Sequence, residues 1–451
     1  MSQKKVGNHF YLSTFSQGTW WVKLSYILMG TANFASRQIV KGFLFLGAEA
    51  AWLFFMLTRG VDALKNFYTL GTVAQDWVMD ESLGIKVQVD GDNSMLCLLY
   101  GIATIMITIA FILIYLINIK SAAYMQHLQK EGQRPNSFRE DVKTLLDRRF
   151  HITLMSLPMV SVVVFTLIPL IYMILLAFTN YDHDHHPPKN LFDWVGISNF
   201  GSMIGGKISG TFLPLLTWTL SWAVFATATC FLAGVIVAVL INVKGVRFKS
   251  LYRSTFVLTI AIPQFVSLLL MRNLLHLSGP VNAWLVRTGL VDNPVPFLTD
   301  GLLAKIVVIL VNVWVGMPYA LLVVNGVLMN LPEDQYEAAR VDGANALQIF
   351  RKITLPQIIF VMTPNLIQTF ISNINSFTVI YLLTGGTPFN SNYYNAGETD
   401  LLVTWLYKLT VEVGDYNLAS TVGIITFICC AVFSLITYSR SAAFKREEDF
   451  Q

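Results

Sequence analysis

Residues 337–343 read Glu-Ala-Ala-Arg-Val-Asp-Gly, and this polar stretch lies between two long apolar runs. Pro332 suits the first turn of a helix because its missing N–H would have no partner there, and Glu333 and Asp334 favour the positive end of the helix dipole. Gly343 can adopt the left-handed conformation that ends a helix. We therefore predict a helix of about ten residues, roughly 15 Å long, held outside the bilayer.

A helix of this length is marginal by itself in water, so it needs a surface on which to dock. No other segment outside the membrane in this chain looks large enough to supply that surface. The pattern therefore indicates a docking element for another protein.

The spacing from Glu337 through Gly343 to Ile353 and the Leu-Pro pair that follows resembles the cytoplasmic EAA loop of ABC-importer permeases. In that family the loop forms a coupling helix that sits in a cleft of the ATPase subunit. The resemblance implies that residues 331–356 contact an ATPase. The positions assigned to this coupling are Glu337, Ala338, Ala339, Asp342, Gly343, Leu355 and Pro356. The alternative is an ordinary surface helix between two membrane spans.

Composition places the chain among polytopic membrane proteins. Of its 451 residues, 54% are hydrophobic and only 13% are charged, whereas a soluble domain has about 25% charged residues. The four cysteines lie in apolar runs, which indicates small buried residues rather than a disulfide or zinc framework. The net charge of +4 is spread over the loops and does not suggest nucleic acid. The first long apolar run begins near Val40, so no cleavable signal pattern is expected.

We predict an all-α fold with eight membrane-spanning helices of about 20 residues each. The apolar runs lie near residues 39–58, 96–118, 152–178, 214–242, 254–276, 302–327, 357–383 and 418–438. Residues 1–39 are mixed and are interpreted either as an interfacial amphipathic helix or as a loosely packed arm.

The distribution of basic residues predicts the orientation, because cytoplasmic loops of membrane proteins carry an excess of Lys and Arg. The strongest indication is the segment 119–151, which holds Lys120, Lys130, Arg134, Arg139, Lys143, Arg148 and Arg149. Both termini and the loop 331–356 are therefore expected in the cytoplasm.

The predicted outer loops carry turn chemistry. Asp90-Gly91-Asp92 indicates a hairpin turn, and Thr384-Gly385-Gly386-Thr387-Pro388 a tight turn after the seventh span. Residues 182–188 read Asp-His-Asp-His-His-Pro-Pro, which could ligate a transition metal. We prefer a polar loop stiffened by two prolines and predict no metal site.

Several kinds of chemistry are missing from the sequence. We find no phosphate-binding loop of the Gly-x-x-x-x-Gly-Lys-Ser/Thr type, no Gly-x-Ser-x-Gly and no HExxH. We therefore expect a non-catalytic subunit without a cofactor of its own. If ATP drives this protein, as the resemblance implies, partner chains must bind the ATP and Mg²⁺. Acidic residues are rare in the spans, which weakens a proton-coupled mechanism. Glu49 is the exception, either as a buried pairing or proton-relay group or, as we favour, as a carboxyl that is neutral or hydrogen-bonded to a neighbouring helix.

Polar residues in spans six and seven form two stripes. Asn312, Gly316 and Tyr319 are three or four residues apart and therefore share one helix face. Thr369, Ser372, Asn373 and Ser376 have the same kind of spacing on span seven. A neutral sugar needs such uncharged donors and acceptors together with an aromatic ring. The alternative is hydrogen bonding between helices, which Ser, Thr and Asn commonly provide in membranes.

From about residue 150 to the end, the chain resembles the larger permease subunit of maltose and maltodextrin ABC importers. The resemblance rests on Trp314-x-Gly316-x-Pro318-Tyr319, the EAA loop, the Asn-rich span seven and the Thr-Gly-Gly turn at 384–386. It implies a six-helix type I importer core over residues 151–451. Residues 1–150 would then hold the N-terminal arm, two extra transmembrane helices and a cytoplasmic linker. The implied sugar contacts are Asn312, Val315, Gly316, Tyr319, Thr369, Ser372, Asn373 and Ser376.

Two departures from the family pattern carry expectations of their own. The stacking aromatic of span seven falls on Ser372 here, so either Phe370 or Tyr319 does that work or the sugar differs. The loop after the third span has only about 35 residues, without the large insert of the best-known relative. That fits a Gram-positive bacterium with a lipid-anchored binding protein.

The resemblance also implies the partners, which are a second homologous permease subunit, two ABC ATPase subunits, an extracellular sugar-binding protein, the sugar and membrane lipid. The substrate is expected to be maltose or a maltodextrin. Alternatives are a raffinose-like or galacto-oligosaccharide-like sugar, a glycerol-phosphate-like solute, an ion-coupled secondary carrier, or a membrane-embedded enzyme such as a glycosyltransferase. The last needs an acidic pair near a membrane face, and no convincing pair is present.

Overall fold

A computed structural model describes residues 14–80, 85–206, 208–243 and 245–439. Helices α1 to α6 and one hairpin precede residue 196. They are α1 (Trp20–Leu24), α2 (Thr31–Ala35), α3 (Ile39–Thr69), β1 (Asp76–Asp80), β2 (Ile85–Val89), α4 (Ser94–Lys130), α5 (Phe138–Leu146) and α6 (Phe150–Leu176).

The remaining helices are α7 (Ser198–Ile204), α8 (Ser209–Asn242), α9 (Lys249–Ala261), α10 (Gln264–Leu274), α11 (Pro280–Arg287), α12 (Gly301–Met329), α13 (Glu333–Val341), α14 (Ala346–Ile374), α15 (Phe377–Leu383), α16 (Leu402–Lys408) and α17 (Tyr416–Ser439).

The predicted set of eight spans is confirmed. Among the described residues, six helices are long and apolar enough to cross a membrane, namely α3, α4, α6, α8, α12 and α17. Two bent pairs, α9 with α10 and α14 with α15, bring the total to eight.

Spans five and seven are broken helices rather than the continuous runs that we predicted. The fifth span bends by 89° between α9 and α10, where Pro263 lacks the N–H that a continuing helix would need. The seventh bends by 44° after Ile374. Here the Asn375 side chain donates to the Ile371 carbonyl at 3.2 Å, and such local bonding competes with the helical ladder.

Chain contacts divide the protein into two compact units, residues 1–195 and 196–451. We predicted a boundary between residues 150 and 151 from the functional parts of the family rather than from chain contacts. That boundary stays a prediction.

In the first unit, the segment before α3 packs against α3 and α4 through buried polar bonds. Asn118 accepts the Gly30 N–H at 2.9 Å and donates to the Ser25 carbonyl at 2.9 Å. Glu49 accepts the Met29 N–H at 2.7 Å. The carboxyl is therefore hydrogen-bonded as we favoured, but its partner lies between α1 and α2 rather than on a neighbouring helix. The loosely packed alternative is wrong for residues 14–38, because side chains such as Met29 are fully buried.

The β1–β2 hairpin is the part of this unit that the all-α prediction missed. Its strands are antiparallel, with Asp76 opposite Val89 and Asp80 opposite Ile85. The hairpin turn is therefore not at Asp90-Gly91-Asp92, as we predicted, because those residues follow the second strand. Asp92 instead accepts the N–H groups of Thr72 and Val73, which ties the exit of the hairpin to its entrance.

The histidine-containing loop is held by an Asp-centred turn. One oxygen of Asp182 accepts the N–H groups of Asp184 and His185 at 3.0 Å each, and lies 2.7 Å from His185 Nδ1. No cluster of three or more potential metal ligands occurs in the part of the chain that the structure describes.

In the second unit, α8 and α12 pack closely against each other around a core that includes Trp222, Leu268, Val308 and Ile380. Gly234 permits this approach, because a Cβ there would meet Ala320 at 2.7 Å.

The loop between α15 and α17 is organised around the buried carboxylate of Asp400. Asp400 accepts from Lys408 Nζ at 2.6 Å, the Gly397 N–H at 2.8 Å and the Thr404 hydroxyl at 2.9 Å. Gly386 has φ +86°, and a Cβ at this position would clash with the carboxylate of Asp400. The predicted tight turn at 384–388 thus packs directly against Asp400 within a folded loop.

Candidate coupling loop and transport cavity

Helix α13 forms where the sequence predicted a short helix outside the membrane. It starts directly after Pro332 and has Glu333 and Asp334 in its first turn and Arg340 in its last. Gly343 has φ +78°, and its N–H donates to the Arg340 carbonyl at 3.0 Å. The glycine therefore ends the helix in the way that its left-handed conformation allows.

Two side-chain bonds fasten α13 to α14. The Tyr336 hydroxyl lies 3.1 Å from the Thr354 hydroxyl, and Gln357 donates to Gln335 at 2.7 Å. Leu355 and Pro356 follow at once, in the regular part of α14 after a wider π-type turn. The pattern residues of the two segments are thus held next to each other.

The face of this loop that points away from the chain is partly apolar. Glu337, Ala338, Asp342 and Gly343 are exposed and Ala339 is half-buried. Val341 is 87% exposed and Leu347 is 64% exposed. Val341 ends α13 and Leu347 lies in the first turn of α14, so both segments present apolar surface on this loop.

All eight predicted sugar contacts line one cavity of about 720 Å³. They lie on α12, on α14 and at the break between α14 and α15, the last position being Ser376. None of the described residues that line the cavity is Asp, Glu, Lys, Arg or His. Its volume falls in the range of about 300–1,000 Å³ that small-molecule sites occupy.

On α12, the predicted residues combine cavity lining with helix packing. Asn312 is buried, and its Nδ2 donates to Cys230 Sγ at 3.5 Å. A Cβ on Gly316 would come within 2.9 Å of the same sulfur atom. A small residue is therefore needed here for α8 to approach α12.

Asn373 likewise combines cavity lining with helix packing. Its Nδ2 donates to the Thr227 hydroxyl at 2.9 Å, and its carbonyl accepts from Trp222 Nε1 at 3.1 Å. Both partners are on α8, so the helix-packing alternative is part of the role of Asn373. Ser372, by contrast, is exposed to the cavity.

Phe370 is wrong as a candidate stacking residue. Its ring is 7% exposed and stacks on Phe433 at 3.8 Å, and Phe370 does not line the cavity. It is on the opposite side of α14 from Ser372. Tyr319 does line the cavity, is 51% exposed, and accepts from Asn365 Nδ2 at 3.2 Å.

The fifth span supplies cavity residues that the sequence analysis missed. The bend between α9 and α10 brings Thr259, Ile262, Pro263, Gln264 and Ser267 into the lining. The available signal was Ile262-Pro263-Gln264, a proline followed by an amide within an apolar run. The prediction of one continuous span gave these polar residues no role.

Comparison with known proteins decides the family. The family described as "Binding-protein-dependent transport system inner membrane component" matches residues 230–446. The chain is 33% identical to the galactooligosaccharides transport system permease protein GanP of Bacillus subtilis (strain 168), over 93% of this chain and 97% of that protein. It is 32% identical to the maltodextrin transport system permease protein MdxF of the same organism, over 94% and 95% respectively.

This chain belongs to the carbohydrate permeases of the binding-protein-dependent ABC importers. The predicted family is confirmed, and so is the multi-pass membrane class. Permeases of this family are transport components rather than catalysts.

Solved structures support the permease fold. A crystal structure of a bacterial ABC transporter involved in the import of the acidic polysaccharide alginate matches with a TM-score of 0.52 and 24% identity. The match covers 66% of this permease and 96% of that chain. At this identity the likeness concerns the fold alone.

Proposed function

We propose that this permease carries a neutral oligosaccharide, most simply maltose or a maltodextrin, through the cavity between α10, α12, α14 and α15. The observation that carries the proposal is the chemistry of the cavity lining. It offers amides, hydroxyls and aromatic rings, and no charge among its described residues. Sugar hydroxyls need such donors and acceptors, while a pyranose face packs on an aromatic ring.

The uncharged lining of the cavity also ranks the alternative substrates. The two relatives described above are named for maltodextrin and for galactooligosaccharides, which are both neutral. A phosphorylated solute would call for Arg or Lys at the cavity, and the described lining has neither. A galactooligosaccharide is therefore the alternative that we keep, with Ser372 as a position where specificity can differ.

We assign the substrate contacts to Asn312, Val315, Gly316, Tyr319, Thr369, Ser372, Asn373 and Ser376. We assign ATPase docking to the exposed face of the loop 331–356. In this mechanism, closure of the ATPases on ATP pushes on α13 and rocks the permeases, which exposes the cavity to the outside. ATP and Mg²⁺ are bound by the ATPases, and this chain needs no cofactor.

The proposed assembly contains a second homologous permease, two ATPases and an extracellular sugar-binding protein. Both termini and the loop 331–356 face the cytoplasm. Residues 151–451 form the importer core, and residues 1–150 add an arm, two transmembrane helices and a linker. The short loop after the third span suits a Gram-positive cell with a lipid-anchored binding protein.

The test is uptake of labelled sugars by cells that lack only this chain. The panel contains maltose, maltotetraose, raffinose, a galactooligosaccharide and glycerol 3-phosphate. We expect selective loss of maltose and maltotetraose uptake, restored by the wild-type chain. Loss of the galactooligosaccharide alone would retain the importer and change its substrate. Uptake that survives deletion of the partner ATPase and collapses with a protonophore would overturn the proposal.

A further inference from the structure

Three aromatic rings form a cluster at the edge of the transport cavity. Phe377 and Tyr381 on α15 stack with ring centroids 4.8 Å apart, and Tyr407 on α16 lies edge-on to both, at 5.0 Å and 5.3 Å. Phe377 lines the cavity, whereas the two tyrosines continue the aromatic surface beyond it. Tyr381 is one helical turn past Phe377, which is about 6 Å.

The cluster differs from the aromatic residues of the core. Trp222 and Trp405 are fully buried, whereas all three rings of the cluster are half-buried. An aromatic group that keeps part of its surface open beside a cavity is available for a ligand as well as for packing.

The polar groups of the cluster suit a neutral ligand. A hydrogen bond with Tyr381 raises the pKa of Tyr407, with smaller contributions from the charges of Tyr381 and Glu412 and from burial. The Tyr407 hydroxyl therefore stays neutral at physiological pH. The neighbouring ammonium of Lys408 is bonded to Asp400 at 2.6 Å. The side chains at the cluster thus offer ring surface and two tyrosine hydroxyls.

We propose that Phe377, Tyr381 and Tyr407 form a further sugar subsite that continues the cavity site toward the outer surface. The inference rests on the proposed function and adds the residues that select for chain length. A disaccharide is held by the cavity alone, whereas a longer oligosaccharide places an additional ring on the tyrosines. Apolar pyranose faces stack on such rings, and the sugar hydroxyls bond to the tyrosine hydroxyls.

The test compares uptake of a disaccharide and a tetrasaccharide by the complete importer carrying Tyr381→Leu or Tyr407→Leu. We expect the tetrasaccharide-to-disaccharide uptake ratio to fall about tenfold, equivalent to about 1.4 kcal/mol, which is the size of one aromatic contact. Disaccharide uptake and the amount of assembled complex should stay near the wild-type values, so that a folding defect is recognised.

Matched variants distinguish stacking of the sugar on the tyrosine rings from support of the Phe377 ring by the tyrosines. Tyr381→Phe keeps the ring and loses one hydroxyl, so its ratio should fall by less than that of Tyr381→Leu, because stacking on the ring is retained. Phe389→Leu removes an exposed aromatic residue of the next loop and should leave the ratio unchanged. A tetrasaccharide-to-disaccharide ratio that stays at the wild-type value would overturn the subsite. If both uptakes also fall by the same factor, the tyrosines only support Phe377. If the wild-type importer takes up neither sugar, the proposed function fails rather than the subsite.

Discussion

The backbone at Gly343 has φ +78°. Apart from its own chain neighbours, no atom of the described residues lies within 4 Å of the Cβ that a larger residue would add there. The described part of the chain therefore leaves room for a side chain, while the conformation disfavours one. In the proposed importer a second requirement comes from outside, because the ATPase must approach the end of α13.

Gly343→Asp and Gly343→Asn separate these two requirements. Asn tolerates the left-handed conformation better than most residues, so a purely conformational role would leave Gly343→Asn near wild type. We expect both variants to lose at least about tenfold in sugar-stimulated ATP hydrolysis, or about 1.4 kcal/mol, because the added side chain holds the ATPase away. ATPase recovery with the purified permease is the second measurement. Normal hydrolysis and recovery in Gly343→Asn would contradict docking at this glycine.

At Asn373, sugar contact and helix packing can be separated by comparing two single variants. Asn373→Ala removes both the cavity amide and the bond to Thr227, whereas Thr227→Val removes the bond and leaves the amide. We expect thermal stability to fall by a similar amount, about 1 kcal/mol, in both variants. Uptake should fall further in Asn373→Ala. Equal uptake in the two variants would assign Asn373 to helix packing alone.

At the level of elements, the loop between α15 and α17 depends on the pair formed by Asp400 and Lys408. The Asp400 side chain is fully buried and that of Lys408 is 14% exposed. Removal of one partner from such a pair leaves a buried charge without compensation.

Lys408→Met should therefore destabilise the loop strongly, by about 3–5 kcal/mol. The double variant Lys408→Met with Asp400→Asn should recover much of that loss, because no unpaired charge remains. Limited proteolysis at residues 384–415 would measure the change, with Lys65→Met as the control for an exposed pair. Equal protection of all variants would mean that the pair does not hold this loop.

The elements also show how much of the fold could be predicted from the sequence. The spans were predictable because their apolar runs match the thickness of the bilayer, and α13 was predictable from Pro332 and Gly343. The direction of the chain after Pro263 was not predictable, since a proline marks a break without fixing its angle. The error at Phe370 has a similar cause. One-dimensional spacing gives the relative faces of residues on α14, but not which face meets α17.

On the scale of the whole molecule, the proposed orientation can be tested by labelling single cysteines. The described native cysteines lie within the spans, three of them buried and Cys429 half-buried. In a cysteine-free background, His183→Cys should react with a membrane-impermeant maleimide in intact cells. Gln133→Cys should react only after the cells are opened. The reverse pattern would invert the topology and remove α13 from the reach of a cytoplasmic ATPase.

A cavity without charged side chains couples only weakly to the membrane potential. Movement of one elementary charge through the membrane is worth about 2.3 kcal/mol per 100 mV. The described lining of the cavity carries no such charge, and a neutral sugar adds none. Exposure of this cavity first to one side and then to the other therefore moves no net charge through it. At a fixed ATP concentration, we expect polarised and depolarised vesicles to import sugar through this permease at the same rate.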